Sequence, residues 1–560
     1  MSAATHLEVG VDNSQNFLRA WLAWRADPGH PHMLHFVAVC GDSYQNTGAD
    51  AALKPLAEQL DAQLWGLLPG FHRLVFEGGH VLFTLCIGDI AKVLRQQQFE
   101  ADSIYLNHAD LTGADPLYIA KAIARLCRPG TLLTTPNHAA LQAALRQCGF
   151  VVDAGNVELQ ATYNPAWVAK QRSQPVKPGS CVVIGAGLAG AAVANSLARR
   201  GWAVTVVDTA SAPASSASSL PAGLLVPHTS PDDSPLSRLS RSGVRMTLQQ
   251  ARAQLSHGID WGHTGVLQRN PDGNATRLPP GWADKQLLAA SDWCYPASNK
   301  ALATAGVPAN DRALWHAQAG WLKPAALVKA WLTAPGIAWR AGVQAVQLRP
   351  VSDGWQLLDA EGVVQAQADL VVLCAGFASQ ALASSAGIST PNLQAIRGQV
   401  TFGLHSNAAA MLPLPPFAVN GHGNLIPAVT TPDGPMWLMG ASYERDVQVP
   451  AIKAQDHADN LLRLQRLLSD AALAMAGQFD PLHARGWAGI RCATSNRLPM
   501  VARVDQNSGP GLWLSTGMGS RGLSFAALCG ELLAARLHGE PLPIESQLAI
   551  AMSGHPVNQN

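Results

Sequence analysis

The 560-residue sequence has almost no net charge and few charged residues. It contains 39 Lys and Arg against 38 Asp and Glu, which gives a formal net charge of +1, and charged residues make up 14% of the chain. A chain so close to neutral has no overall electrostatic attraction for nucleic acid, so any contact with a polyanion must come from a local patch. The 48% of hydrophobic residues also excludes disorder over most of the length.

Long apolar runs and closely spaced cysteine pairs are missing as well. The longest apolar runs, such as residues 370–375, fall far short of the roughly 18 residues that suggest a membrane-spanning helix. The N-terminal residues lack the basic and apolar regions of a signal peptide. The nine cysteines are scattered and form no C-x-x-C pair, which argues against a disulfide framework or a zinc site. We therefore expect a cytoplasmic protein without a membrane segment and without a metal.

The most informative stretch is residues 181–208, which follow the order strand, glycine turn, helix, strand, acid. Gly185 permits a tight turn, Gly187 lets the backbone approach a pyrophosphate, and Gly190 lets helix and strand pack closely. Asp208 lies 18 positions after Gly190, near the roughly 20 expected for a carboxylate that binds ribose hydroxyls. The stretch predicts a dinucleotide site, and by itself it does not distinguish FAD from NAD.

The length predicts two or more domains. Residues 1–169 alternate strands and helices, as in an α/β layer, and polar residues 170–180 with their prolines indicate a linker. Residues 512–523 repeat the order strand, glycine turn, helix. The backbone amides at the start of that helix are suited to stabilise a negative charge that develops on a bound ligand. Strand-like alternation dominates residues 261–320 and 395–485, which predicts an antiparallel subdomain.

Four further segments after residue 180 carry a specific resemblance. They resemble the second half of the bifunctional tRNA 5-methylaminomethyl-2-thiouridine biosynthesis (MnmC) family, a D-amino-acid-oxidase-like flavoprotein, and the matches cover nearly all of 180–545. One departure is Asn496 in place of the family's aspartate, and another is Ser219 in place of a glycine. The segments are 211–228, the R-G-Q at 397–399, the G-x-R segment at 489–499 and the G-x-G-S-R-G-L at 517–523.

The resemblance implies that the dinucleotide is FAD. It divides residues 181–550 into FAD-binding parts (roughly 181–260, 321–394 and 486–550) and a substrate subdomain (roughly 261–320 and 395–485). The predicted cofactor-binding residues are Gly185, Ala186, Gly187, Leu188, Ala189, Gly190, Asp208, Ser218, Gly376, Gly519, Ser520, Gly522 and Leu523.

The resemblance also implies the reaction, an FAD-dependent removal of the carboxymethyl group from 5-carboxymethylaminomethyl-uridine at the tRNA wobble position. Arg491 is the candidate clamp for the substrate carboxylate, because a planar guanidinium binds a carboxylate in a bidentate manner. Arg521 is the second candidate, and Gln399 is expected at the reacting side of the flavin. The alternatives are an oxidase of free glycine, sarcosine or D-amino acids, and a tRNA-docking protein with a vestigial flavin.

Residues 1–169 resemble the methyltransferase half of the same family, at 17–26, 68–74 and 124–132. The family's glycine-rich S-adenosylmethionine segment corresponds to residues 8–17, where only Gly10 of three glycines remains and Asp12 and Ser14 add side chains. The ribose-binding acid falls at Cys40, and the family's aspartate loop has Asn107, with Asp110 as a possible substitute. We predict that this domain keeps its fold without methylating, so that S-adenosylmethionine is an unlikely ligand and a separate methyltransferase acts downstream.

Overall fold

The computed structural model describes residues 3–11, 13–41, 44, 46, 50–107, 115–154, 158–167, 176–270, 277–282, 288–405, 414–480, 484–505 and 509–554. Asp12, Asp110 and most of the predicted linker lie outside the described residues. Strands and helices are numbered below in chain order.

The N-terminal domain is a Rossmann-like α/β layer, as predicted. Its eight-stranded sheet has the order β3-β4-β2-β1-β5-β6-β8-β7, and β3 and β8 run antiparallel to their neighbours. Its strands are β1 (Ala3–Val9), β2 (Met33–Cys40), β3 (Gly70–Phe76), β4 (Val81–Ile87), β5 (Ala101–Leu106), β6 (Cys127–Pro136), β7 (Phe150–Ala154) and β8 (Glu158–Tyr163). Its helices are α1 (Gln15–Ala26), α2 (Lys54–Asp61), α3 (Ile90–Arg95), α4 (Pro116–Ala124) and α5 (Ala139–Gln147). Strands β2 and β4 are buried at every position, as expected of parallel strands covered on both faces.

A six-stranded, mostly parallel sheet forms the core of the second domain. Its order is β17-β10-β9-β21-β29-β28, with β28 antiparallel to its neighbour. The strands are β9 (Ser180–Ile184), β10 (Ala203–Val207), β17 (Ile337–Arg340), β21 (Leu370–Leu373), β28 (Met500–Arg503) and β29 (Gly511–Thr516). The covering helices are α6 (Leu188–Ala198), α7 (Pro235–Gln254), α10 (Pro324–Leu332) and α14 (Gly522–His538). Helices α6 and α14 cross closely, since a Cβ at Gly530 would lie 2.6 Å from the Ala192 carbonyl oxygen.

A nine-stranded, largely antiparallel sheet stands beside the parallel one. It contains β13 (Val266–Gln268), β14 (Cys294–Pro296), β15 (Leu314–His316), β22 (Leu393–Leu404), β23 (Ala418–Gly421), β24 (Gly423–Val429), β25 (Met436–Gly440), β26 (Glu444–Arg445) and β27 (Arg485–Thr494). Strand β27 pairs with β22 from Leu393 to Phe402. The sequence-based division placed residues 486–550 with the FAD-binding parts, whereas β27 belongs to this sheet because its partner is the long strand β22.

Two three-stranded sheets and six short helices complete the described chain. The sheets are β11 (Gly223–Leu225) with β16 (Gly320–Leu322) and β12 (Trp261–Gly262), and β18 (Gln347–Val351) with β19 (Gly354–Leu358) and β20 (Val364–Ala368). The helices are α8 (Leu288–Ser291), α9 (Asn299–Thr304), α11 (Ser379–Ser385), α12 (Ala454–Leu467), α13 (Ser469–Met475) and α15 (Ser546–Ala551).

The two domains share a buried, polar interface. Edge strand β3 packs on α7, where the fully buried Arg245 donates to the Gln63 carbonyl oxygen at 3.0 Å and lies 4.2 Å over the Trp65 ring. Arg73 donates to the carbonyl oxygen of Pro541 at 2.5 Å. Because buried cations need such acceptors, these contacts fix the orientation of one domain on the other.

A charged cluster lies behind this interface. Arg200 donates to the carboxylates of Glu531 at 3.2 Å and Glu540 at 2.7 Å, and His35 of β2 lies 3.6 Å from Glu540. Burial acts to raise the pKa of the Glu531 carboxyl, but Arg199 and Arg200 outweigh it and hold that pKa well below its usual range. The carboxylate therefore stays ionised inside the protein.

Candidate flavin and substrate site

The predicted cofactor residues converge on one edge of the six-stranded sheet. Strand β9 has β10 on one side and β21 on the other, so the chain reverses its winding direction there. In open α/β sheets, ligands bind beyond the carboxyl ends of the strands at such a point. The loops that follow β9, β21 and β29 contain Gly185, Gly376 and Gly517 respectively, all with positive φ (107°, 57° and 74°).

The first glycine turn has no room for side chains. A Cβ at Gly185 would lie 2.6 Å from the Cys374 carbonyl oxygen, and one at Gly190 would overlap the Gly185 carbonyl oxygen. Backbone therefore approaches backbone at both positions, as the glycine spacing predicts. Leu188 and Ala189 open α6, whose first-turn amides have no acceptor within the helix.

Asp208 and Ser218 lie on either side of this turn. The Asp208 carboxylate accepts hydrogen bonds from the Ala186 amide at 2.8 Å and from the Ala210 amide at 3.0 Å. The Ser218 hydroxyl oxygen accepts from the Leu188 amide at 3.0 Å. The structure thus brings together an ordered carboxylate at the end of β10 and the amide-rich start of α6, which suit the ribose and the pyrophosphate of a dinucleotide.

The second glycine turn begins beside the first. A Cβ at Gly522, the first residue of α14, would lie 3.2 Å from the Leu188 side chain, so α6 and α14 present their positive ends to the same edge. The Gly519 amide donates to the Cys492 carbonyl oxygen at 2.7 Å, and Thr516 donates to the Gly376 carbonyl oxygen at 3.1 Å. Ser520 is exposed in this turn and Leu523 is buried behind it. The two glycine turns and the starts of α6 and α14 together are here called the FAD cradle, because their arrangement fits FAD.

The guanidinium of Arg491 occupies the space beside Gly398, where any other residue would have a side chain. On β22, a Cβ at Gly398 would overlap the Arg491 Nη2 atom and lie 2.6 Å from its Cζ atom. Among the residues that the structure describes, no carboxylate forms an ion pair with this guanidinium. Burial lowers the pKa of Arg491, and the nearby Tyr443 opposes that shift. A half-buried cation without an acidic partner is suited to bind an anionic group of a ligand rather than to form a structural salt bridge.

Arg521 stands at the start of α14 in a second cationic neighbourhood. Burial, followed by repulsion from Arg497, lowers the pKa of Arg521. Burial and then Arg521 lower the pKa of His228 to about 4, so this histidine is neutral near pH 7. Within the described ranges, Arg521 also has no ion-pair partner. Asn496 accepts from the Leu498 amide at 3.0 Å and holds the turn that contains Arg497, a task that an aspartate oxygen would perform equally well.

Gln399 does not join Arg491. Its Oε1 atom accepts from Arg397 Nη2 at 2.7 Å and from the Lys453 amide at 2.8 Å, and its Nε2 atom donates to the Lys453 carbonyl oxygen at 2.9 Å. Side chains alternate along a strand, so Arg397 and Gln399 face one side of β22 while Gly398 faces Arg491. Alternation within the R-G-Q segment could have shown from the sequence that Gly398 and Gln399 face opposite sides of the strand, but not which of the two sides faces Arg491.

The corresponding turn of the N-terminal domain is bonded to the chain's own side chains. Ser14 donates to the Asn46 side-chain oxygen, and Asn46 donates to the Ala57 carbonyl oxygen at 2.9 Å. Tyr44 is buried with its ring 5.8 Å from Phe83, and burial, followed by Glu8, raises the pKa of its hydroxyl well above the usual range. These contacts of residues 44 and 46 were not predicted, because they join a loop to a turn distant in the sequence.

Metal-binding side-chain clusters and membrane-spanning helices are both absent from the described residues. In the ranges given above, no group of three or more His, Cys, Asp or Glu side chains could hold a metal ion. No helix in the same ranges combines the length and the apolar character that crossing a membrane requires.

The chain is similar to known proteins over almost all of its length. Residues 180–536 match the family described as FAD dependent oxidoreductase. A relative from Polaromonas sp. (strain JS666), named tRNA 5-methylaminomethyl-2-thiouridine biosynthesis bifunctional protein MnmC, is 51% identical over 98% of this chain and 90% of its own. A relative of the same name from Verminephrobacter eiseniae is 45% identical over 98% of this chain and 95% of its own.

A solved structure supports the fold of the second domain. Glycine oxidase from Geobacillus kaustophilus superimposes with a TM-score of 0.52 at 18% identity, and the match covers 69% of this chain and 99% of that one. At this identity the likeness shows the fold alone. It confirms the predicted fold class of this domain, and the family match confirms the predicted FAD. The chain belongs to the FAD dependent oxidoreductases and, across both domains, to the MnmC family.

Proposed function

We propose that this protein oxidises the secondary amine of 5-carboxymethylaminomethyl-uridine at the tRNA wobble position, which removes the carboxymethyl group and leaves aminomethyl-uridine. The observation that carries the proposal is Arg491, a cation without an acidic partner among the described residues, held over Gly398 beside the FAD cradle. The relatives named for tRNA biosynthesis, at 51% and 45% identity, support the choice of substrate.

When bound, FAD would supply the two-electron oxidation of the carbon–nitrogen bond. Water then hydrolyses the resulting substrate imine, so the carboxymethyl carbons leave as glyoxylate and the primary amine stays on the uridine. The chain's own residues bind and orient the substrate. Arg491 takes the carboxylate through charge-assisted hydrogen bonds, each of which contributes about 1.5–3 kcal/mol. With FAD bound, the positive ends of α6 and α14 would favour the negative charge of the cofactor, and Asp208 would bind its ribose hydroxyls. Arg521 remains the second candidate for the carboxylate.

The test uses tRNA that carries the carboxymethylaminomethyl group. The purified flavoprotein should convert this nucleoside to aminomethyl-uridine, as followed by nucleoside mass spectrometry and by bleaching of the flavin absorbance without oxygen. Free glycine, sarcosine and D-alanine serve as parallel substrates. Turnover of a free amino acid with no turnover of the tRNA would favour the rival oxidase function, since an arginine clamp serves a free amino acid equally well. Binding of tRNA with no flavin bleaching would favour the docking function.

We propose in addition that the N-terminal domain does not bind S-adenosylmethionine. The support is the loss of two of three turn glycines and the bonding of Ser14 to Asn46. A separate methyltransferase then completes the nucleoside, and the expected compartment is the cytoplasm, where tRNA is modified. Incubation of aminomethyl-uridine tRNA with radiolabelled S-adenosylmethionine tests this, and multiple turnovers of methyl transfer would overturn it.

A further inference from the structure

A loop beside Arg491 is held rigidly from one side. Residues 441–453, here called the rim loop, connect β25 to the segment before α12. The Arg397 guanidinium donates to the Ala451 carbonyl oxygen at 2.9 Å and to the Glu444 carboxylate at 2.9 Å. The Gln399 side chain bonds the backbone of Lys453 at both its amide and its carbonyl. The inner face of the rim loop is thus hydrogen-bonded to β22 through Arg397 and Gln399.

The outer face of the rim loop points toward Arg491. Strand β26 pairs with β22 so that Glu444 lies opposite Arg397 and Arg445 lies opposite Ile396. On the other edge of β22, Ile396 lies opposite Arg491. Directly opposed residues share a face, so Arg491, Ile396 and Arg445 form one row across three strands. Neighbouring strands are about 4.8 Å apart, which places the two arginines roughly 10 Å from each other at the backbone.

Tyr443 belongs to the same face, two residues before Arg445 and beside Gly398. Its side chain is 54% exposed although it is aromatic, and its hydroxyl is near enough to oppose the lowering of the pKa of Arg491 by burial. Arg445 is exposed as well, and no carboxylate within the described residues pairs with it. The outer face therefore presents the exposed ring of Tyr443 between two arginines. Arg491 is the proposed partner of the substrate carboxylate, and Arg445 has no ion-pair partner among the described residues.

We propose that this outer face binds the RNA around the oxidised nucleotide, with Tyr443 stacked on an unpaired base and Arg445 against a phosphate. The proposal rests on the tRNA function proposed above. An aromatic ring contributes about 1–3 kcal/mol per stacked base, and a basic side chain at a phosphate adds salt-dependent affinity. A free amino acid has neither group, so Tyr443 and Arg445 select for a nucleic acid substrate. Gln399 is then a positioning residue, which holds the rim loop and touches no substrate.

The test compares substrates and variants in the intact holoenzyme. Tyr443→Ala should raise the KM for tRNA about 5- to 150-fold and leave kcat nearly unchanged. Tyr443→Phe should keep the wild-type KM, because stacking needs the ring and not the hydroxyl. Trp167→Ala is the matched control, since Trp167 is a 52% exposed aromatic of the N-terminal domain and its removal should change neither constant. Arg445→Gln should lower the slope of log KM against log salt by about 0.7.

Other outcomes overturn the proposal. Equal increases of KM for tRNA and for the free modified nucleoside would assign Tyr443 to the carboxylate site, and the same would follow if Tyr443→Phe behaved like Tyr443→Ala. An unchanged KM in Tyr443→Ala would remove the stacking role. The wild-type measurement separates this failure from that of the proposed function, since a wild type that leaves the tRNA unmodified fails the function itself. Flavin absorbance and thermal unfolding of each variant verify that it is folded.

Discussion

Both domains contain a glycine turn between the first strand and the first helix of their parallel sheet, and the two turns differ in how many glycines they keep. After β9, the turn at Gly185 and Gly190 excludes side chains, and Asp208 and Ser218 bond its amides. After β1, the equivalent turn keeps Gly10, but Ser14 carries a side chain that bonds Asn46. The turn after β9 is thus shaped by close backbone packing and ordered by two polar side chains, whereas the turn after β1 carries a side chain where the family has a glycine. The α/β fold is present in both domains, so the fold by itself does not decide whether a turn binds a nucleotide.

The sharpest way to break this comparison is to add one methyl group to each turn. Gly190→Ala would overlap the Gly185 carbonyl oxygen, and about 1–3 kcal/mol from overpacking should lower FAD affinity about 5- to 150-fold. Gly10→Ala, with φ of 78°, should cost about 1–2 kcal/mol of folding free energy and leave FAD content unchanged. The ratio of flavin to protein absorbance measures both. Equal flavin loss in the two variants would contradict the comparison.

Substrate binding should depend on the flavin side alone. Arg491→Ala removes the proposed carboxylate clamp and should lower kcat/KM about 10- to 150-fold, because charged hydrogen bonds of about 1.5–3 kcal/mol are lost. Gly398→Ala should give a smaller decrease, since it displaces the guanidinium without removing it. Flavin content should stay at the wild-type value in both. Steady-state kinetics on modified tRNA tests this, and unchanged kinetics in Arg491→Ala would remove its role.

Acid should weaken the joint between the domains. Burial, followed by Arg245, lowers the pKa of His72 to about 3, whereas an unfolded histidine titrates near 6.5. Below pH 6.5 the His72 imidazole is therefore protonated in the unfolded chain but stays neutral in the folded chain. The free energy of unfolding falls as the pH drops toward 3. At pH 4.5 the loss is about 3 kcal/mol for this group. Urea unfolding at pH 7 and 4.5 measures it, and His72→Gln should reduce the difference.

The smallest expected effect concerns S-adenosylmethionine. A ligand at 100 times its Kd stabilises the folded state by about 2.7 kcal/mol, so added FAD should raise the Tm of the flavin-depleted protein by several degrees. S-adenosylmethionine at millimolar concentration should leave the Tm unchanged. A rise comparable to that with FAD would show that the first turn still binds its ligand, and the contrast between the two domains would fail.

The fold class and the cofactor turn were predictable because both depend on local patterns. Apolar strands, Gly185 to Gly190 and Asp208 lie within one βαβ unit, where spacing dictates geometry. The orientation of Gln399 was not predictable in this way, since it depends on the register of β22 with two strands distant in sequence. The same holds for Asn46, which reaches Ser14 through a loop. The predicted roles of Arg491 and Arg521 are still predictions.

The interface at β3 has a consequence for the evolution of the chain. Trp65 and Leu68 of the N-terminal domain pack into the apolar core that contains Met246 and Trp293 of the flavin domain. If residues 1–167 were deleted, this apolar surface would face water, and contiguous exposed apolar patches promote aggregation. The chemistry that we propose to be lost from the N-terminal domain would therefore leave it a role, because the domain still covers an apolar surface of the oxidoreductase.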